Sequence, residues 1–160
     1  MNAPAVFDCM VFLQAAARPH RVHLLFDAIN RRELTLFVSP EIIAEVHDVL
    51  TRPSVQRQFS ALTPEVVKNF LADVLARATL VTHVPMRVAL PRDPKDEKYL
   101  NLAIAVNARY LVSADNDLLD LMTDPGPESR NFRSQFPSLR ILKSGTLIRE
   151  LEMQRGQNRP

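Results

Sequence analysis

The chain is short of several things, and each shortage excludes a class of protein. It has one cysteine, Cys9, in 160 residues. An internal disulfide is therefore impossible and a thiolate zinc site is excluded, so a reducing, cytoplasmic setting is expected. No stretch approaches the roughly 20 apolar residues of a membrane-spanning helix. The opening "MNAPAVFDCMVFLQAAARP" lacks a basic leader and is interrupted by Asp8, so it reads as a first strand and not as a signal peptide. Neither sign of charge dominates: 20 Lys and Arg face 18 Asp and Glu, a formal net charge of +2. A balance that mild does not by itself argue for nucleic acid; a local basic patch would have to carry that role. The histidines, His20, His23, His47 and His83, form no metal-binding pattern with the acids. There is no internal repeat and no low-complexity segment.

What is present is an alternation of β-rich and helical runs. "PAVFDC", "LTLFVS", "TLVTHV", "RYLVSA" and "LRIL" read as strands. Between them lie "VHLLFDAINRRE", "SPEIIAEVHDVLTRP", "TPEVVKNFLADVLARA", "DPKDEKYLNLAIAVNA" and the short "DLLDLM", all with helical spacing. Ser39 with Pro40, and Thr63 with Pro64, are N-cap and first-turn pairs, and Pro53 marks a stop. "SGTLIRELEMQ" is a last helix, and "TDPGPESRNFRSQFPS" is expected to be a loop. The length fits one domain, taken as residues 1–154, with a frayed tail over 155–160. Alternating strands and helices predict an α/β fold with a mainly parallel sheet. In such folds ligands gather at the carboxyl ends of the strands.

Several acids fall at element ends. Asp8 closes the first strand, and Asp115 follows "RYLVSA" in the stretch "SADNDLLDL". On the helix "SPEIIAEVHDVLTRP", Ile42, Ile43, Val46, Val49 and Leu50 share one arc, and Glu45 lies at its edge. In "RDPKDEKYL", Asp93 precedes Pro94 as an N-cap and Asp96 falls at the third position, where the helix dipole favours a carboxylate. Capping accounts for Asp93, Asp96 and Asp115 one at a time, and Glu45 alone reads as a solvated flank. Taken together, Asp8, Glu45, Asp96 and Asp115 come from different elements that a parallel sheet would bring to one edge. Clustered carboxylates repel unless a cation neutralises them, and oxygen ligands without histidine suit Mg²⁺ or Mn²⁺. Such a site suits phosphoryl chemistry.

The blocks "VFDCMVFLQ", "LFVSPEIIAEVHDVLTRP", "RDPKDEKYLNLAIAVNARYLVSADNDLLDL" and "LRILKSGTLIREL", in this order and spacing, resemble PIN-domain proteins over nearly the whole chain. The likeness is strongest to the branch associated with toxins of toxin–antitoxin pairs, and more distant to VapC-type toxins. It implies a three-layer α/β/α sandwich and a metal-dependent ribonuclease. It implies that Asp8, Glu45, Asp96 and Asp115 are the four catalytic, metal-binding acids, with Asp117 as an auxiliary ligand. Asp96 takes the third place because it stands seven residues before Ala103, as the family's third acid does before its helix alanine. Ser113 matches a hydroxyl residue two before the fourth acid. RNA substrate, a cognate antitoxin and a homodimer are the partners this implies, and no membrane. One departure bears on activity: many relatives carry Asn two residues after the first Asp, where this chain has Met10. A thioether lacks the amide's donor and acceptor pair. A catalytically weak or inactive module that binds RNA or protein is the alternative this opens.

Arg52, Arg92 and Lys95 flank the acid-bearing elements and are the candidates for binding RNA, against ordinary surface charge. Cys9 has no histidine partner and reads as a buried apolar residue. "DNDLLD" lacks the glycine and final Glu of a calcium loop. "FDCMV" is similar to the nucleophile strand of haloacid-dehalogenase-like phosphatases, but that motif needs an Asp where Met10 stands.

Overall fold

The structure is a computed structural model that describes residues 2–160. Five strands form one parallel sheet: β1 Ala3–Phe7, β2 Leu34–Val38, β3 Thr79–Leu80, β4 Tyr110–Val112 and β5 Arg140–Leu142, in the order β3-β2-β1-β4-β5. β1 is central, with Ala3 beside Leu34 on one side and Phe7 beside Val112 on the other. Helices cover both faces, as in a three-layer α/β/α sandwich. A strand covered on both sides should read as a continuous apolar run, and Ala5, Val6 and Phe7 are all fully buried. Tyr110, Leu111 and Val112 repeat that pattern in β4.

The chain runs outward from β1 through β2 to β3, then crosses back to place β4 on the other side of β1. The strand order therefore reverses between β1 and β4. In such folds the switch point, above the carboxyl ends of the strands, is where ligands gather. Asp8 and Ser113, both buried, follow these two strands there.

Helix α1 (Cys9–Ala17) follows β1, and α2 (Pro19–Asn30) leads to β2. Helix α3 (Pro40–Leu50) opens with the Ser39 cap expected for it, Oγ accepting from Ile42 N at 3.3 Å. Pro53 ends that run as expected but also opens a short helix, α4 (Pro53–Gln58), before α5 (Pro64–Arg77). The run expected as a single helix from Asp93 divides into a 3₁₀ turn, Pro94–Asp96, and α6, Glu97–Ala105.

Three expectations need correction. "TLVTHV" is strand only at Thr79–Leu80; after Val81 N donates to Val38 O, the chain leaves the sheet. Pro85, Pro91 and Pro94 cannot donate to a ladder. The buried Asn101 holds this segment instead, accepting from Arg87 N and Val88 N and donating to Val88 O. The supposed loop 123–138 contains α8 (Pro127–Gln135), which follows the short α7 (Asn116–Leu119) and a second 3₁₀ turn, Asp120–Met122. Its one buried large apolar side chain is Phe132, tilted against Phe136, so it shows no apolar stripe. Arg133 fastens it by donating to the carbonyls of Leu121 and Asp124. Finally, α9 (Ser144–Gln157) continues into the tail expected to fray, because Arg155 makes a bidentate pair with Glu33.

Candidate metal centre

Three short helical elements begin at the switch point, and each begins with an aspartate. Asp8 caps α1, with Oδ1 accepting from Val11 N at 3.1 Å. Asp93 caps the turn Pro94–Asp96 by accepting from Lys95 N at 3.1 Å, and Asp115 caps α7 by accepting from Asp117 N at 2.8 Å. The N-terminal N–H groups favour carboxylates there. Capping and clustering are thus not alternatives, since the same caps lie side by side. Oxygens of Asp93, Asp96 and Asp115 lie within 4.8 Å of one another.

Asp96 differs from its neighbours. It sits at the start of α6 without making a side-chain capping bond. It is buried, at 8% exposure, and its Oδ2 has no hydrogen-bond partner among the described residues. Burial pushes its carboxyl up to about 8, with Asp115, then Asp93 and Asp8, adding repulsion. A buried carboxylate with an oxygen that has no donor, clustered with two more carboxylates, is costly unless a cation or a proton offsets the charge. Three hard oxygen donors without sulfur or imidazole suit Mg²⁺ or Mn²⁺. The residues present fit such an ion.

Asp8 lies close enough to feel this charge. Burial raises its pKa, the Ser113 and Val11 hydrogen bonds lower it, and the Asp115 charge raises it again, for a net rise. Ser113 ties the two strand ends together: its hydroxyl donates to Asp8 Oδ2, and its Oγ accepts from Asp115 N at 3.0 Å.

Glu45 is placed otherwise. Its Oε1 accepts from the Tyr99 hydroxyl at 2.8 Å and its Oε2 is paired with the Lys98 ammonium. Burial raises its pKa, but the Lys98, Cys9 and Tyr99 hydrogen bonds outweigh that and hold it below the usual value. The same Tyr99 oxygen accepts from Cys9 N at 3.1 Å, so the tyrosine joins α1, α3 and α6. Burial and Glu45 push the Cys9 thiol up to about 12, which suits an inert side chain.

The remaining candidates divide. Arg92 pairs with Asp117 at 2.9 Å and with Asp120 at 3.1 Å, so Asp117 faces an arginine and not the three clustered acids. Arg92 and Asp117 line a cleft of about 560 Å³ that runs along residues 87–92 to α8. Lys95 is exposed beside a smaller cleft near Ser39 and Lys98. Arg52 is committed to Asp48 in an exposed pair one helical turn away. Met10 stands half exposed in the first turn of α1. Sequence reasoning passed over Lys98, Tyr99 and Asn101, and assigned Asp93 to capping alone.

Comparison with known proteins agrees with this fold. The PIN domain family profile matches residues 4–117, and the chain belongs to that family. The crystal structure of PAE2754 from Pyrobaculum aerophilum superposes with a TM-score of 0.55 at 18% identity, covering 94% of this chain and 90% of that one. No curated protein matches the sequence.

Proposed function

We propose, from membership in the PIN-domain family and the form of the acidic edge, that the chain is a Mg²⁺- or Mn²⁺-dependent endoribonuclease. We read it as the toxin of a toxin–antitoxin pair acting in the cytoplasm. PIN domains are generally metal-dependent nucleases. The observation that carries the reading is the buried Asp96, one oxygen of which is unpartnered, in a cluster with Asp93 and Asp115.

An ion held by Asp93, Asp96 and Asp115 would supply Lewis acidity toward a phosphodiester and its attacking water. The chain does the rest. Ser113 locks Asp8 to Asp115, so the carboxylates of two strands keep one spacing. Asp115 is held from both sides, by Ser113 Oγ at its N–H and by Asp117 N at its carboxylate. Lys95 is exposed, where it can meet RNA phosphates, and Arg92 can do so on leaving Asp117 and Asp120. For Arg52 that role requires release from Asp48.

The direct test is cleavage of single-stranded RNA by the purified chain with Mg²⁺ or Mn²⁺, with EDTA, and after Asp96→Asn. Activity that appears with metal and disappears with EDTA and with the variant supports the reading. A tight metal complex without cleavage supports the inactive binding module, in line with Met10. The toxin role is tested by co-expressing the small open reading frame adjacent to the gene. An antitoxin should relieve growth arrest, and an arginine inserted against the acidic edge would be its natural contact.

A further inference from the structure

The cleft of about 560 Å³ is tied to the acidic cluster through the chain: Arg92 precedes Asp93, and Asp117 follows closely on Asp115. Its other wall is α8, which supplies Ser129, Asn131 and Phe132. The family profile ends at residue 117, so this wall lies beyond the part of the chain that the profile matches. Leu90 and Phe132, both buried, give the cleft an apolar surface. Ser129 is also buried, at 7% exposure, and no hydrogen bond among the described residues uses its hydroxyl. Asp124 commits Oδ1 to Gly126 N at 2.8 Å, which leaves Oδ2 as an acceptor.

A second cleft, of about 530 Å³, lies between α6 and the end of α8. Arg87 lines both clefts. It is exposed, and no carboxylate pairs with it among the described residues, whereas Arg92 is held by Asp117 and Asp120. Both volumes fall within the ~300–1,000 Å³ of small-molecule sites. Two such clefts with an unpaired guanidinium between them suit a polymer of planar bases joined by charged links. A peptide strand has no such charge at each joint.

We propose that these clefts are the path of single-stranded RNA on one side of the scissile phosphate. A base lies in the first, with Ser129 and Asn131 at its edge, and Arg87 takes the phosphate that links it to a nucleotide in the second. This rests on the ribonuclease reading above. Asp124 Oδ2 accepts from an amino group of the base, so the first cleft favours adenine, cytosine or guanine over uracil, which has none.

The test is binding of fluorescent oligoadenylate and oligouridylate to the full chain, read by anisotropy in EDTA so that the strands stay intact. Oligoadenylate should bind more tightly than oligouridylate. Arg87→Ala and Asn131→Trp, both at exposed positions, should each weaken oligoadenylate binding about tenfold or more, the size of one base contact, and leave the Mn²⁺ Kd unchanged. Unchanged RNA affinity in both variants, or a preference for oligouridylate, would overturn the proposal. If the natural chain still cleaves RNA with Mn²⁺, the ribonuclease reading stands without it. A natural chain that neither binds nor cleaves RNA overturns both. Should Asn131→Trp break a complex with the adjacent small protein and spare RNA, the cleft belongs to a protein partner and the proposal fails.

Discussion

The two sides of the acidic edge use the same chemistry to opposite ends. Asp8 and Glu45 are satisfied by donors from the chain itself: two backbone or hydroxyl groups for the first, a phenol and an ammonium for the second. Asp93, Asp96 and Asp115 face one another, and Asp96 is left with a bare buried oxygen. A satisfied buried carboxylate stiffens a fold, whereas an unsatisfied one stores unfavourable energy that a ligand can release. The first pair therefore reads as structure and the second group as a receptor.

The largest effect that would sharpen this contrast is at Asp96. Asp96→Asn should lower ribonuclease activity by orders of magnitude and abolish the rise in melting temperature on adding Mn²⁺. That rise comes from an ion that binds the folded chain alone. In the metal-free protein the same change should leave the melting temperature level or higher, because it removes repulsion. A metal-free protein clearly destabilised by Asp96→Asn would break the comparison.

Next comes the pH dependence. In the metal-free chain the Asp96 carboxyl lies near 8, raised by burial and by its acidic neighbours. The unfolded chain releases this proton near 4. The folded state then binds more protons between those values, so metal-free stability should fall as pH rises from about 4 to about 8. Bound metal must displace the proton, so Mn²⁺ affinity should climb over the same range and level off above it. Thermal scans and Mn²⁺ titrations across pH check both. A metal-free melting temperature that rises through this window would contradict the assignment.

A smaller, purely structural effect belongs to the other side. Tyr99→Phe removes one hydroxyl that serves both Cys9 N and Glu45, and should cost about 1 to 2 kcal/mol in urea unfolding. Its Mn²⁺ affinity should be unchanged; a large loss would make the two sides one unit. Smallest of all, Arg52→Ala removes an exposed pair with Asp48 and should shift stability by no more than about 0.5 kcal/mol. Any marked loss of RNA binding in Arg52→Ala would show that the arginine leaves Asp48 for substrate.

What was legible in the sequence was what repeats or alternates. The buried strands and the capped helices α3 and α5 announce themselves through apolar runs and Ser or Thr followed by Pro. The convergence of Asp8 with Asp115 follows from two strands of a parallel sheet ending together. What was hidden depends on contacts between distant residues. Helix α8 lacks a stripe because one phenylalanine and one arginine hold it. Asn101 reads as an ordinary helix residue until the segment at Arg87 and Val88 is laid against it. Spacing on its own helix puts Glu45 at the edge of the apolar arc, but says nothing of Lys98 on another helix. Asp93 looked like a cap and is one, but a cap position does not say what the second oxygen faces.

The bond between Ser113 and Asp8 joins residues 105 apart in the chain. Its consequence lies in the order of synthesis. When the ribosome has released β1, β2 and the first turn of α6, the nascent chain already carries Asp8, Glu45, Asp93 and Asp96. It has no edge to gather them, because β1 lacks its second neighbour. Pairing across so long a loop is slow and comes late. The acidic edge therefore closes only when β4 arrives, and a product that stops before Tyr110 leaves the ribosome with most of the acids but no assembled centre.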